Sequence, residues 1–146
     1  MEIREAREEE LDRLIEIWLD ASRQSHSFID SSYWEENVGV MRGLYLPLSQ
    51  NTVIEDEGEI VGFLSMMGEE LAALFIDPSH QQKGYGQQLL RFVQAHQETI
   101  ALSVYAKNKN ALSFYQKHHF LMIEESVDEP TNEIEYRMKW ERGELT

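Results

Sequence analysis

Residues 71–90 read LAALFIDPSHQQKGYGQQLL, and the other elements of the chain fall into place around them. The stretch opens on an unbroken apolar run, Leu71 to Ile76, with the length and composition of a strand buried on both faces. Asp77-Pro78 ends it, because proline has no N–H to give to a sheet ladder. A polar loop with two glycines follows, Gln81-Gln82-Lys83-Gly84-Tyr85-Gly86. Beyond it Tyr85, Leu89, Leu90 and Val93 share one face of a helix. Strand, glycine loop and helix start leave unpaired N–H groups facing the loop, which is a site for phosphate and here suits a pyrophosphate.

Upstream, residues 2–6 alternate weakly and suit an edge strand. Leu11, Leu14, Ile15 and Trp18 then lie at i, i+3, i+4 and i+7, which predicts a helix with acids on its outer face. Ser22 to Asp30 is a polar break holding His26, Phe28 and Ile29. A second helix is expected to start with a capping box from Ser32 to Glu35, to bury Trp34, Val38, Met41 and Tyr45, and to end at Pro47. Residues 52–55 and 60–67 read as two strands joined by the turn Asp56-Glu57-Gly58, a hairpin. Gly68-Glu69-Glu70 turns the chain into the apolar strand.

Downstream, the helix after the glycine loop runs to about His96, and residues 100–105 form another strand. Residues 108–118 are helical, with Ala111, Phe114 and Tyr115 on one face. Two strands close the chain, 120–127 and 134–140; the second places Ile134, Tyr136, Met138 and Trp140 on one face. The order β-α-α-β-β-β-α-β-α-β-β describes an α/β fold with one sheet of mixed direction, a single domain over residues 1–146.

Composition narrows the function. The chain has no cysteine, so disulfides, thiolate metal sites and a cysteine nucleophile are excluded. It shows no signal-peptide pattern and no apolar run of membrane-spanning length, which makes a cytoplasmic protein the expectation. Twenty-seven acidic against 13 basic side chains give a net charge of −14, unsuited to nucleic acid. That charge either attracts a cationic substrate or only keeps the protein soluble.

Three phosphate-binding patterns compete for the glycine loop. A P-loop needs lysine after its last glycine, whereas Lys83 precedes Gly84. A dinucleotide fingerprint needs a third glycine, where Leu89 stands, and a first glycine close to the strand end; seven residues separate Ile76 from Gly84. The pattern Q/R-x-x-G-x-G/A is met by Gln81, Gly84 and Gly86. Here the chain resembles the GNAT superfamily of N-acetyltransferases, whose acetyl-CoA motif has this form after an apolar strand. A second block, Asn108-x-x-Ala111-x-x-Phe114-Tyr115 with Phe120 five residues on, resembles the family's N-x-x-A-x-x-F-Y-x-x-x-G-F signature. His119 stands where that pattern has glycine. The segment His26-Ser27-Phe28-Ile29 is similar to one in small bacterial members, some of which acetylate protein lysines.

The resemblance implies a GNAT fold and transfer of the acetyl group of acetyl-CoA to a primary amine, on a small molecule, peptide or protein lysine, by direct attack in a ternary complex. A non-catalytic acyl-CoA-binding module of the same fold is the alternative. It assigns the pyrophosphate to Gln81, Gln82, Lys83, Gly84, Tyr85, Gly86 and Gln87, and the pantetheine arm to the backbone of Leu74, Phe75 and Ile76. An N–H of Leu74 or Phe75 doubles as oxyanion donor. Asn108 and Ala111 reach the cofactor side, although Asn108 reads equally as a helix N-cap. Tyr115, the general acid for the leaving thiolate, is otherwise half of an aromatic pair with Phe114. The phenol's ordinary pKa of about 10 lies above the thiol's 8.5, so transfer must accompany bond cleavage or be tuned by the site. Glu69, Glu70 and His26 are candidates for the base that takes the amine's proton, each also readable as a surface residue. Glu135 and Arg137 either line the acceptor groove or face water. No metal, nucleic acid or membrane partner is expected, and the protein is expected to be a monomer or homodimer.

Overall fold

The computed structural model describes residues 1–143, so the last three residues of the expected 1–146 domain lie outside the described residues. Seven strands form one sheet: β1 (Glu2–Glu5), β2 (Gln50–Asp56), β3 (Glu59–Met67), β4 (Glu70–Ile76), β5 (Thr99–Tyr105), β6 (Leu121–Asp128) and β7 (Glu133–Glu141). Their spatial order is β1-β2-β3-β4-β5-β7-β6. Every neighbouring pair is antiparallel except β4–β5, which is parallel. The helical elements are α1 (Leu11–Ser25), α2 (Ser31–Glu36), α3 (Val38–Val40), α4 (Leu46–Leu48), α5 (Tyr85–Gln94) and α6 (Lys109–Lys117).

Each sheet face has its own core. On one, Leu89, Leu90 and Val93 of α5 and Tyr115 of α6 pack with Leu64, Leu102 and Met138. On the other, Leu14, Ile17 and Trp18 of α1, with Trp34, Met41 and Leu46, cover Val53, Phe63 and Ala73. β3 is buried along nearly its whole length because both layers sit on it. Its turn to β2 places Glu57 and Gly58 at φ 53° and 80°, the left-handed pair of a two-residue hairpin.

The second helix departs from the expected single stripe. A π-helical turn, Met41–Tyr45, interrupts it between α3 and α4. The wider turn breaks the 3.6-residue spacing on which the stripe depends: Tyr45 is exposed and Leu46 takes the buried place. Pro47 sits inside the final short turn, where its missing N–H is harmless, and the chain leaves helix at Ser49. Asp30, not Ser32, caps α2, its carboxylate accepting from the Ser32 N–H at 3.0 Å. Glu35 pairs with Arg23 of α1 instead of closing a capping box.

Two features give the sheet an open side and a fixed wall beside it. First, β4 and β5 are in register only at Glu70 and Ala101, and beyond that point they splay. Second, α6 ends in a Schellman motif: the Phe120 N–H donates to the Tyr115 carbonyl at 3.0 Å and the His119 N–H to that of Gln116 at 3.1 Å. His119 adopts the left-handed conformation, φ 72°, that a glycine would otherwise supply. Phe120 then meets Tyr115 edge-on, with ring centroids 5.4 Å apart.

Candidate functional site

The splay between β4 and β5 opens two cavities that share the walls Leu74, Phe75, Asn108, Ala111 and Tyr115. One, of about 690 Å³, runs to the glycine loop. The other, of about 520 Å³, runs under α1 and α2. A parallel pair held at one end and open at the other leaves strand-edge backbone facing a gap, and both cavities draw on that gap.

The loop at the first cavity is shaped by two left-handed residues, Gln82 at φ 64° and Gly84 at φ 85°. Gly84 caps α5 without any side chain bonding the first-turn N–H groups, so these stay available to a ligand. A Cβ on Gly86 would meet Ile76 Cγ1 and Phe114 Cζ at 3.8 Å each, ordinary contact distance. The approach to the loop is fixed from behind. Arg13 of α1 pairs with Asp77 at 2.7 Å and donates to the Ile60 carbonyl at 2.9 Å, while Asp77 accepts from the Ser79 N–H at 3.1 Å. The Tyr85 hydroxyl is bonded to Asp56, away from the cavity.

Leu74, Phe75, Ile76, Gln81, Gln82, Gly84, Tyr85, Gly86, Gln87, Asn108, Ala111 and Tyr115 all border this cavity. Lys83 does not: it is exposed and lines neither cavity. Left-handed Gln82 and Gly84 on either side of it set the path of the loop backbone. Gln24 and Ser25, at the end of α1, complete the wall, and no motif in the sequence marked them.

Tyr115 stands at the junction. It is buried between Phe114 and Phe120, and among the described residues nothing bonds its hydroxyl. Burial pushes the phenol up from its ordinary value, so it carries its proton throughout the neutral range.

The second cavity is walled by aromatic rings, notably Trp18, Tyr33, Trp34, Tyr45 and Tyr105. Periodicity alone reads Trp18 and Trp34 as core, because a cavity wall and a core face share the same helical spacing. His26 stacks on Trp34 with centroids 5.1 Å apart. Burial lowers its imidazole to about 4. Its Nε2 faces the Asn108 amide nitrogen at 3.2 Å.

The other two proton-acceptor candidates separate. Glu69 is exposed in the turn and lines neither cavity; its carbonyl accepts from the Ala101 N–H at 2.9 Å. Glu70 lines the aromatic cavity and takes a two-pronged ion pair from Arg137, at 2.7 and 2.9 Å. Arg137 also donates to Ser103 at 3.0 Å, so the pair reaches from β4 over β5 to β7 at the closed end of the splay. Glu70 is the one carboxylate among the residues described as lining either cavity. Elsewhere, Glu59, Asp77 and His80 bring potential metal-ligand atoms within 4.8 Å of one another, but Arg13 already supplies a positive charge there.

Residues 47–121 match the family described as the acetyltransferase (GNAT) domain. The chain is 36% identical to the peptidyl-lysine N-acetyltransferase YiaC of Escherichia coli (strain K12), over 94% of this chain and 95% of that protein. The solution structure of apo-form YjaB from Escherichia coli superposes with a TM-score of 0.83 at 27% identity, covering 95% of this chain and 96% of that one. The crystal structure of the PaiA N-acetyltransferase from Thermoplasma acidophilum in complex with coenzyme A has a TM-score of 0.80 at 20% identity, covering 96% and 98%; at that identity it shares the fold.

Proposed function

Since the chain belongs to the GNAT family and is an acetyl-CoA-dependent N-acetyltransferase, we propose that its two cavities divide the substrates between them. Acetyl-CoA enters along the glycine loop and the amine enters the aromatic cavity. The observation that carries this is their meeting at Leu74, Phe75, Asn108, Ala111 and Tyr115. Residues 1–146 act as one domain, and a cosubstrate of central metabolism supports a cytoplasmic setting.

Acetyl-CoA supplies an acyl group as a thioester and departs as a thiol. The free N–H groups at the start of α5 and along Gln81–Gln87 bind the pyrophosphate. The open edge of β4 bonds the pantetheine arm as another strand would, and an N–H of Leu74 or Phe75 faces the carbonyl oxygen. Tyr115 gives its proton to the sulfur as the C–S bond breaks and the C–N bond forms. Because burial makes the phenol a weaker acid, transfer must keep pace with cleavage rather than precede it. Glu70 takes the proton of the amine, directly or through water, fixed at the cavity wall by Arg137.

The acceptor is a lysine side chain of a peptide or protein. Support comes from the relative YiaC, named a peptidyl-lysine N-acetyltransferase, and from aromatic walls suited to an aliphatic stem. Incubation with acetyl-CoA and a panel of lysine peptides, polyamines and α-amines, read by mass spectrometry, tests this. Acetylation of lysine side chains is expected; acetylation confined to polyamines or α-amines would overturn the assignment.

A further inference from the structure

The Asn108 carboxamide sits where the two cavities join, and its orientation is set from both ends. Its oxygen accepts from the Ala111 N–H at 3.3 Å, as the N-cap of α6. Its nitrogen faces His26 Nε2 at 3.2 Å. Turning the amide over would point its NH2 at the Ala111 N–H, donor against donor, so the nitrogen belongs on the histidine side. An NH2 group only donates. His26 Nε2 must therefore present a lone pair, with the ring proton on Nδ1.

The ring has no freedom to do otherwise. It is buried, stacked on Trp34, and met edge-on by Phe28 and Tyr105 at 5.7 and 5.3 Å. Ser25 Oγ lies 3.5 Å from Nδ1 and donates its own proton to the Ala21 carbonyl, leaving its lone pairs toward the ring. The Nε2 lone pair that a general base would use is already committed to Asn108. We propose that His26 is a positioning residue of acetyl transfer: it holds the Asn108 side chain in the one orientation that caps α6, the helix that carries Tyr115 two turns further on. It thereby links the segment between α1 and α2, which borders the acceptor cavity, to the wall shared with the cofactor. This rests on the division of the cavities proposed above.

A double-mutant cycle tests it in the full-length enzyme with acetyl-CoA and a lysine peptide. His26→Phe keeps the stack on Trp34 but offers no lone pair, and is expected to lower kcat about tenfold, the equivalent of one lost hydrogen bond. His26→Gln, whose carbonyl oxygen can stand near the Nε2 position, should recover most of that loss. Asn108→Ser keeps a capping oxygen but has no amide nitrogen. In its background His26→Phe should change kcat by less than about twofold. A loss that persists undiminished in the Asn108→Ser background would overturn the proposal, since His26 would then act on the reacting amine itself. So would no loss in either background. A readout independent of turnover and of variant folding is the imidazole tautomer of the wild-type protein, from 15N NMR. The proton is expected on Nδ1, and a proton on Nε2 would overturn the proposal. Wild-type protein that shows the Nδ1 tautomer yet acetylates no amine would refute the division of the cavities and, with it, any catalytic role for His26.

Discussion

The Tyr115 phenol, packed against Phe114 and Phe120 on the wall shared by the two cavities and with no hydrogen bond to any described residue, keeps its proton at neutral pH. Removing its hydroxyl deprives no protein group of a partner. Tyr115→Phe should therefore leave thermal stability and coenzyme A affinity near wild type while kcat falls by about a hundredfold, the usual scale for a lost general acid. Steady-state kinetics beside calorimetric titration with coenzyme A would check both halves. His26 shows the same physics with the opposite sign. Its folded value of about 4 lies below the ordinary 6.5, so between those values the unfolded chain binds a proton that the folded chain refuses. His26 thus contributes stability that is complete above about pH 6.5 and is lost as pH falls toward 4. Urea midpoints at pH 4.5 and 7 should differ more in wild type than in His26→Phe; equal differences would refute the assignment.

At the scale of elements, the glycine loop shows what a motif does and does not encode. Gly84 was legible because left-handed backbone favours glycine, and its φ is 85°. Gln81 and Gly86 were legible from the motif alone, since a Cβ on Gly86 meets only ordinary contacts. Lys83 was not, since motif spacing does not say on which side of a loop a side chain lies. Gly86→Glu separates site from scaffold: Cβ has room, and an acid in the first turn of α5 suits the helix dipole, so folding should persist. Its carboxylate would occupy the place of a phosphate, and coenzyme A binding measured by calorimetry should be abolished; wild-type affinity would contradict the assigned site. The succession of strands along the chain and both helices around the splay followed from periodicity; the spatial order of the strands did not. The π-turn at Met41–Tyr45 did not, because it changes residues per turn without changing residue type. Gly62 carries no local signal either: a Cβ there would lie 2.4 Å from Ile76 Cδ1 and 3.0 Å from the Phe75 carbonyl oxygen, so this glycine lets β4 pack close on β3. Such a contact is tertiary and leaves no pattern in the neighbouring residues. The Glu70–Arg137 pair is similar, joining residues 67 positions apart that sequence could treat only separately.

For the whole molecule, one parallel strand pair in an otherwise antiparallel sheet creates the site. β4 and β5 meet only at Glu70 and Ala101, Glu70 and Arg137 tie the closed end, and the open end gives two cavities a common wall. Among the described residues Glu70 is the single carboxylate in either lining, and it is paired. In the proposed division of the cavities, charge steers a cationic acceptor toward the protein and aromatic shape selects it. The same proposed division holds both substrates at once, so that the amine attacks the thioester directly. Initial velocities measured against acetyl-CoA at several fixed concentrations of a lysine peptide test this most directly. The two-cavity site predicts double-reciprocal lines that intersect, as a ternary complex requires. Parallel lines, the mark of an acetylated enzyme formed before the amine binds, would contradict it.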